Sequence, residues 1–233
     1  MLETLQTRHG NGWLAMSGRI ITVAQQKGGS GKTTLAAHLA VALSLQPILG
    51  AKARVALLDC DPQGSLGEWF EAREVTLGDD ATELSFRTAS GWGARREARS
   101  LARDYNFVVI DTPPKSDVES RPAIEVADLV AVPVQPTPID LWATRPTLEM
   151  ISKEGTSCLL VINRAQSRSA LTQEMATAIE ALGHPAARTR LGNRVGFAAS
   201  MGRGLTLLET DPGSKGAAEI EALAAELREL LAR

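Results

Sequence analysis

The chain is 233 residues long, 44% hydrophobic, and carries a formal net charge of −2. That length suits one α/β domain with a sizeable core, and the balanced charge excludes a protein drawn to polyanions by its overall field; nucleic-acid binding would need a local patch. Its two cysteines, Cys60 and Cys158, form no C-x-x-C pair, which argues against a disulfide framework or a zinc site and for a reduced compartment.

Residues 1–18 read as a short polar tail, with no apolar core of a signal peptide and with Met16–Ser17 as a candidate natural start. No apolar run approaches the roughly 18 residues that span a bilayer. Residues 19–233 are therefore expected to form a single domain, soluble and cytoplasmic.

"RIITVA" (19–24) predicts a strand that runs into a glycine loop, and "TTLAAHLAVALSL" (33–45) a helix with Ala36, Leu39, Ala40 and Leu43 on one face. "RVALLD" (54–59) is the next strand and "LSFRT" (84–88) another. "GARREARSLARD" (93–104) is a polar helix that turns Ala98 and Leu101 inward. "NFVVID" (106–111), "DLVAVPV" (128–134) and "SCLLVIN" (157–163) are apolar strands, with helices at about 118–127, 140–153 and 169–182. "AAEIEALAAELRELLAR" (217–233) is the last helix. Apolar strands alternating with helices predict a mostly parallel sheet covered on both faces, a three-layer α/β/α fold. Ligands then sit at the carboxyl ends of the strands, where Asp59, Asp61, Asp111 and Asn163 collect.

The loop "AQQKGGSGKTT" (24–34) departs from the phosphate-binding pattern G-x-x-x-x-G-K-[ST] in two places: Gln26 stands where the first glycine belongs, and Lys27 is a second lysine. Gly28, Gly29 and Gly31 let backbone N–H groups, with that of Ser30, approach a triphosphate at a helix N-terminus. Lys32 is placed to reach the β- and γ-phosphates, Thr33 to ligate Mg²⁺, and Thr34 to bond the α-phosphate. Asp111, ending four apolar residues, is a candidate Mg²⁺ ligand. In "LLDCDPQGS" (57–65), Asp59 and Asp61 share one face of the chain; one can support Mg²⁺ and the other orient an attacking water.

"QKGGSGKTT", "LLDCDPQGS" and "VVIDTPP" resemble the deviant Walker A, Walker A′ and Walker B motifs of the ParA/MinD ATPases. "DLVAVPVQPTPIDL" (128–141) and "TDPGSKGAAEIEALAAEL" (210–227) extend the resemblance to the C-terminus, nearest to short partition ATPases without an N-terminal DNA-binding domain. The resemblance implies an ATP-sandwich homodimer in which Lys27 crosses to the partner's nucleotide. It implies that Lys27, Lys32 and Asp61 act in hydrolysis, with Asp61 positioning the water and Asp59 supporting Mg²⁺ from behind. Asn163 would contact adenine, Pro212 would wall the base, and 112–122 would be the switch that senses the γ-phosphate.

The family divides by what the dimer binds. A basic amphipathic last helix marks membrane-cycling members; here Glu219, Glu221, Glu226 and Glu229 outnumber Arg228 and Arg233, so no membrane partner is expected. Paired interface cysteines mark iron–sulfur carriers, and neither Cys60 nor Cys158 fits that role. Arg188, Arg190, Arg194 and Arg203 lie in a stretch, 181–208, that holds no acid. They resemble the family's patch for nonspecific DNA, which grips phosphates without reading bases. The expected protein is an ATP- and Mg²⁺-dependent ATPase that moves a cargo over the nucleoid, stimulated by a centromere-binding or cargo-adaptor protein. The alternative is a MinD-like membrane-cycling ATPase.

Overall fold

Six apolar runs pair into one sheet because each can bury both its faces under helices. The computed structural model describes residues 18–232 except 49, 79–82, 115–116 and 168. The tail 1–17, Lys115 and Ser116 of the expected switch, and Arg233 lie outside the described residues. The strands are β1 (Arg19–Val23), β4 (Val55–Asp59), β5 (Leu84–Thr88), β6 (Phe107–Asp111), β7 (Leu129–Val134) and β8 (Cys158–Ile162). They run in the order β5-β4-β6-β1-β7-β8, every pairing parallel. A short hairpin of β2 (Pro47–Ile48) and β3 (Ala51–Lys52) stands apart from this sheet.

One face carries α1 (Lys32–Ser44), α2 (Ser65–Leu77) and α9 (Lys215–Leu231), packed on Ile21, Val23, Val55, Leu57, Phe107 and Val109. The other carries α3 (Ala94–Leu101), α4 (Asp117–Val126), α5 (Pro138–Glu154) and α6 (Ala170–Glu180), packed on the alternate residues of the same strands. The short helices α7 (Val195–Met201) and α8 (Leu207–Thr210) link α6 to α9.

α1 is buried on every side from Leu35 to Ser44, not only along the predicted face. α9 covers it, burying Ile220, Leu223 and Leu227. α2 has no counterpart in the chain-order reading above. Its signal is nonetheless in the sequence: Leu66, Trp69, Phe70 and Arg73 recur at helical spacing and are all buried. Thr137 caps α5 by accepting the Asp140 N–H, and Pro138 follows at the first helical position, where its missing donor costs nothing.

The sheet order matters for the site. β1 lies between β6 and β7, so its carboxyl end is the point where the chain's connections diverge to left and right. Val23 and Asp59 are both in register with Asp111. The glycine loop and the two aspartate-bearing strand ends are thus neighbours.

Candidate functional site

The loop from Ala24 to Gly31 joins β1 to α1 and turns through left-handed backbone at Gly29 (φ 75°) and Gly31 (φ 90°). Gly31 is constrained twice, because a Cβ there would also meet Asn163 Nδ2 at 2.6 Å. The loop is held from outside by side chains. Gln135 Nε2 donates to the Gly29 carbonyl at 2.9 Å and Asn163 Nδ2 to the Ser30 carbonyl at 2.8 Å. The buried Gln25 accepts from the Thr147 hydroxyl and donates to Thr144 Oγ1, both on α5. The Gln26 N–H donates to Thr147 Oγ1. Where the usual pattern has a glycine, this chain pins the backbone to α5.

Lys32 is buried on the floor of a cavity of about 580 Å³, shared with Gly28, Gly29, Thr33, Thr34 and Asp61. Burial lowers its pKa, opposed by the carboxylates of Asp111 and Asp61. The Thr33 hydroxyl donates to Asp111 Oδ2 at 2.6 Å. Burial pushes the Asp111 carboxyl up to about 7 against that hydrogen bond. Its second oxygen, Oδ1, is buried with no partner among the described residues, as is Ser30 Oγ. A buried carboxylate with one orphaned oxygen beside a threonine hydroxyl is a fitting donor set for Mg²⁺, which takes hard oxygen ligands.

The two aspartates of the A′ motif are now distinguishable. Both Asp59 oxygens are committed to backbone: Oδ1 accepts the Asp61 N–H at 2.9 Å and Oδ2 the Gly67 N–H at 3.2 Å. Burial raises its pKa, and these hydrogen bonds oppose that. Asp59 shapes the turn and the start of α2. Asp61 caps the same turn through one oxygen, accepting from Gln63 N–H, and its side chain faces the phosphate cavity.

Lys27 is absent from the walls of that cavity. Its Nζ lies 2.7 Å from Asp140 Oδ1, on α5.

A second cavity, about 330 Å³, opens beside Thr34 and Asn163, between Leu35, Leu191, Phe197 and Ile220. Arg164 borders both cavities and adopts a left-handed backbone (φ 55°), with its N–H donating to Asn163 Oδ1. His38 crosses from α1 to the far wall: Nδ1 bonds the Thr34 carbonyl at 2.8 Å, Nε2 accepts the Leu207 N–H at 3.0 Å, and the ring packs edge-on against Phe197.

Residues 21–228 match the CobQ/CobB/MinD/ParA nucleotide binding domain. The chain belongs to that family. Over 212 residues it is 30% identical to the Maintenance of carboxysome distribution protein A of Halothiobacillus neapolitanus, covering 85% of this chain and 91% of the relative. It is 33% identical over 159 residues to the Chromosome partitioning protein ParA of Myxococcus xanthus, about half of each chain (53% and 54%). Among solved structures it resembles the Pyrococcus furiosus cell division ATPase MinD (22% identical, TM-score 0.75, 91% and 99% of the two chains). It also resembles a Cyanothece McdA variant in complex with ATP (18% identical, TM-score 0.71, 93% and 97%). The protein is a ParA/MinD-type P-loop ATPase on the three-layer fold of those neighbours.

Two groups of expected site residues sit differently in this ParA/MinD chain from what the sequence suggested. Pro212 is exposed on the turn before α9 and lines neither cavity. The second cavity is walled by Leu191, Val195, Phe197 and Ile220 with Asn163, whose amide bonds the Ser30 carbonyl and the Arg164 N–H. The arginines of 188–203 are largely neutralised. Arg194 pairs with Glu219 at 2.6 Å, Arg188 with Glu229 at 3.1 Å, and Arg190 with Glu180 at 3.6 Å. The acids come from α9 and from the last residue of α6. Arg203 alone of the four has no carboxylate partner among the described residues. Sequence reasoning gave no role to Gln25, His38, Gln135, Asp140 or Arg164; Gln25, Gln135 and Asp140 lie within the quoted "AQQKGGSGKTT" and "DLVAVPVQPTPIDL" stretches, but each acts by what the fold brings beside it.

Proposed function

We propose that the protein is a positioning ATPase that cycles between an ATP-bound homodimer on nonspecific DNA and a released monomer. The observation that carries the reading is Lys27. It stands beside the phosphate cavity but is turned out of it and held at 2.7 Å by Asp140, so its own chain's cavity does not engage it and release from Asp140 would free it for a second chain. Exposed apolar side chains support a dimer face on the same edge: Trp92, Val118, Ile139 and Trp142 all follow closely on the carboxyl ends of strands.

Within each chain the glycine loop binds the phosphates and Lys32 neutralises them. Thr33 and Asp111 would hold Mg²⁺, which when bound adds positive charge at the transferring phosphoryl group. Asp61 orients the water, and Lys27 of the partner subunit adds charge where it develops. Arg203 and its neighbours are part of the DNA contact. A partner protein on the cargo stimulates hydrolysis and releases the dimer. The similarity to a carboxysome-distribution protein over most of both chains favours a protein assembly as cargo over a plasmid. Among the described residues no helix is long and apolar enough to cross a membrane, and α9 is acidic on its exposed face.

The test is co-sedimentation with plasmid DNA and, in parallel, with anionic liposomes, each with ATP and with ADP. ATP-dependent binding to DNA alone supports the reading. ATP-dependent binding to liposomes alone replaces it with a membrane-cycling ATPase.

A further inference from the structure

Helix α3, packed over β4 and β6, carries a second basic surface on the opposite face of the sheet from Arg203's neighbours, and the edge strand β5 adds one arginine to that face. In α3, Ala94, Ala98 and Leu101 are the buried face. At about 100° per residue, Arg96 and Arg99 stand on the opposite side of the helix. Arg103 continues the stripe in the turn just beyond it, at the spacing i, i+3, i+7. On β5, Leu84 and Phe86 pack on the α1/α2 side, so alternation places Arg87 on the α3 side. All four arginines are exposed.

Their charges are not spent inside the protein. Arg95 pairs with Glu125 at 2.7 Å, but Arg87, Arg96, Arg99 and Arg103 have no carboxylate partner among the described residues. The acids of the stretch, Glu97 and Asp104, pair with none of them. The contrast with 188–203 is sharp, since three of the four arginines there face glutamates. A row of exposed guanidiniums along one outer helix, with no carboxylate partner among the described residues, suits the repeating phosphates of a polyanionic rod.

We propose that the α3 stripe, Arg96, Arg99 and Arg103, with Arg87 on the same face of the sheet, is a principal phosphate-binding surface for duplex DNA. The inference rests on the DNA-binding reading above and moves most of the binding away from 188–203. Binding through it would be sequence-independent and governed by counterion release.

The experiment is fluorescence anisotropy of a short random-sequence labelled duplex, with the full chain and a nonhydrolysable ATP analogue, across a salt series. The triple variant Arg96→Gln, Arg99→Gln, Arg103→Gln should weaken binding at every salt concentration and flatten the log–log salt dependence by about 0.9 for each phosphate no longer neutralised. Replacing the same three by lysine should retain most of the slope. Arg203→Gln should change it by no more than a single phosphate's share. ATP turnover without DNA should be unchanged in both triple variants, because no residue of α3 lines the cavity that holds Lys32 and Asp61. If the wild type binds and the glutamine variant matches it in affinity and slope, the stripe is only a solvated face and this inference alone falls. If the wild type ignores the duplex in every nucleotide state, the DNA reading falls and takes the stripe with it. If the variant binds DNA normally but loses affinity for poly-glutamate, the stripe serves an acidic protein segment, which also overturns the proposal.

Discussion

Lys27 Nζ rests 2.7 Å from Asp140 Oδ1, and the Asp140 side chain is only 6% exposed. The same carboxylate also accepts from the Thr137 hydroxyl that caps α5. A lysine meant for a partner's nucleotide must leave this ion pair first. Asp140→Asn should therefore ease dimerisation, so that the ATP-bound dimer forms at several-fold lower protein concentration. Lys27→Gln should keep much of the ATP affinity, because Lys32 and the backbone cradle remain, yet lose the dimer. Light scattering with a nonhydrolysable analogue reads both; a Lys27→Gln protein that dimerises normally removes the in-trans role.

Asp61 and Asp59 should fail in different ways. Asp61→Ala removes a carboxylate that faces the phosphate cavity and leaves the glycine loop intact. Turnover should drop about 100-fold or more while ATP is still bound, since positioning the water is a kinetic contribution. Asp59→Ala leaves the Asp61 and Gly67 N–H groups without their acceptor. It should lower the melting temperature and weaken ATP binding as well. Turnover, equilibrium nucleotide binding and thermal melts on both variants make the comparison, and a wild-type rate in Asp61→Ala would remove its assigned role.

Gly31→Ala should abolish tight nucleotide binding. The alanine must hold φ 90° and bring its Cβ to 2.6 Å from Asn163 Nδ2. Left-handed backbone alone costs a non-glycine residue about 1–2 kcal/mol. Adding Asn163→Ala removes the clash but not the strain, so the double variant should recover stability only in part. Melting temperature checks this.

His38 is held neutral in the core. Burial lowers its pKa from 6.5 to about 4, against the Thr34 carbonyl and Glu209, which favour the charged form. Between those values the unfolded chain binds more protons than the folded one. Stability from this group is therefore complete above pH 6.5 and is lost as pH falls toward 4. Denaturant titrations from pH 7 down to 5 should show the decline in wild type and a flatter profile in His38→Gln.

Arg73 holds Glu209 by two hydrogen bonds, at 2.7 and 3.0 Å, and lies against the Trp69 ring. Trp69 Nε1 donates to the Leu205 carbonyl, so α2 grips the 205–209 segment at both points. Arg73→Met removes the cation that Glu209 faces, leaving its carboxylate only the Thr206 N–H and hydroxyl, and should cost about 3 kcal/mol, the scale for breaking a largely buried pair. Glu209→Gln in the same background should recover part of that loss. Urea unfolding of the two variants measures it.

The sequence by itself determined the six strands of the main sheet, most helices and the glycine loop between β1 and α1. These are local properties: the apolar run of "FVVID" becomes β6, and Gly29, Gly31, Lys32 and Thr33 lie within one loop and helix start. The pairing of Thr33 with Asp111 was also legible, because parallel strands put their carboxyl ends side by side. Tertiary structure decided which charges remain free. Arg188, Arg190 and Arg194 look unopposed along the chain, but Glu180, Glu219, Glu226 and Glu229 arrive from helices packed beside them. Lys27 looks free until α5 brings up Asp140. An ion pair depends on a few ångströms of separation, which helix packing sets and residue spacing along the chain does not encode.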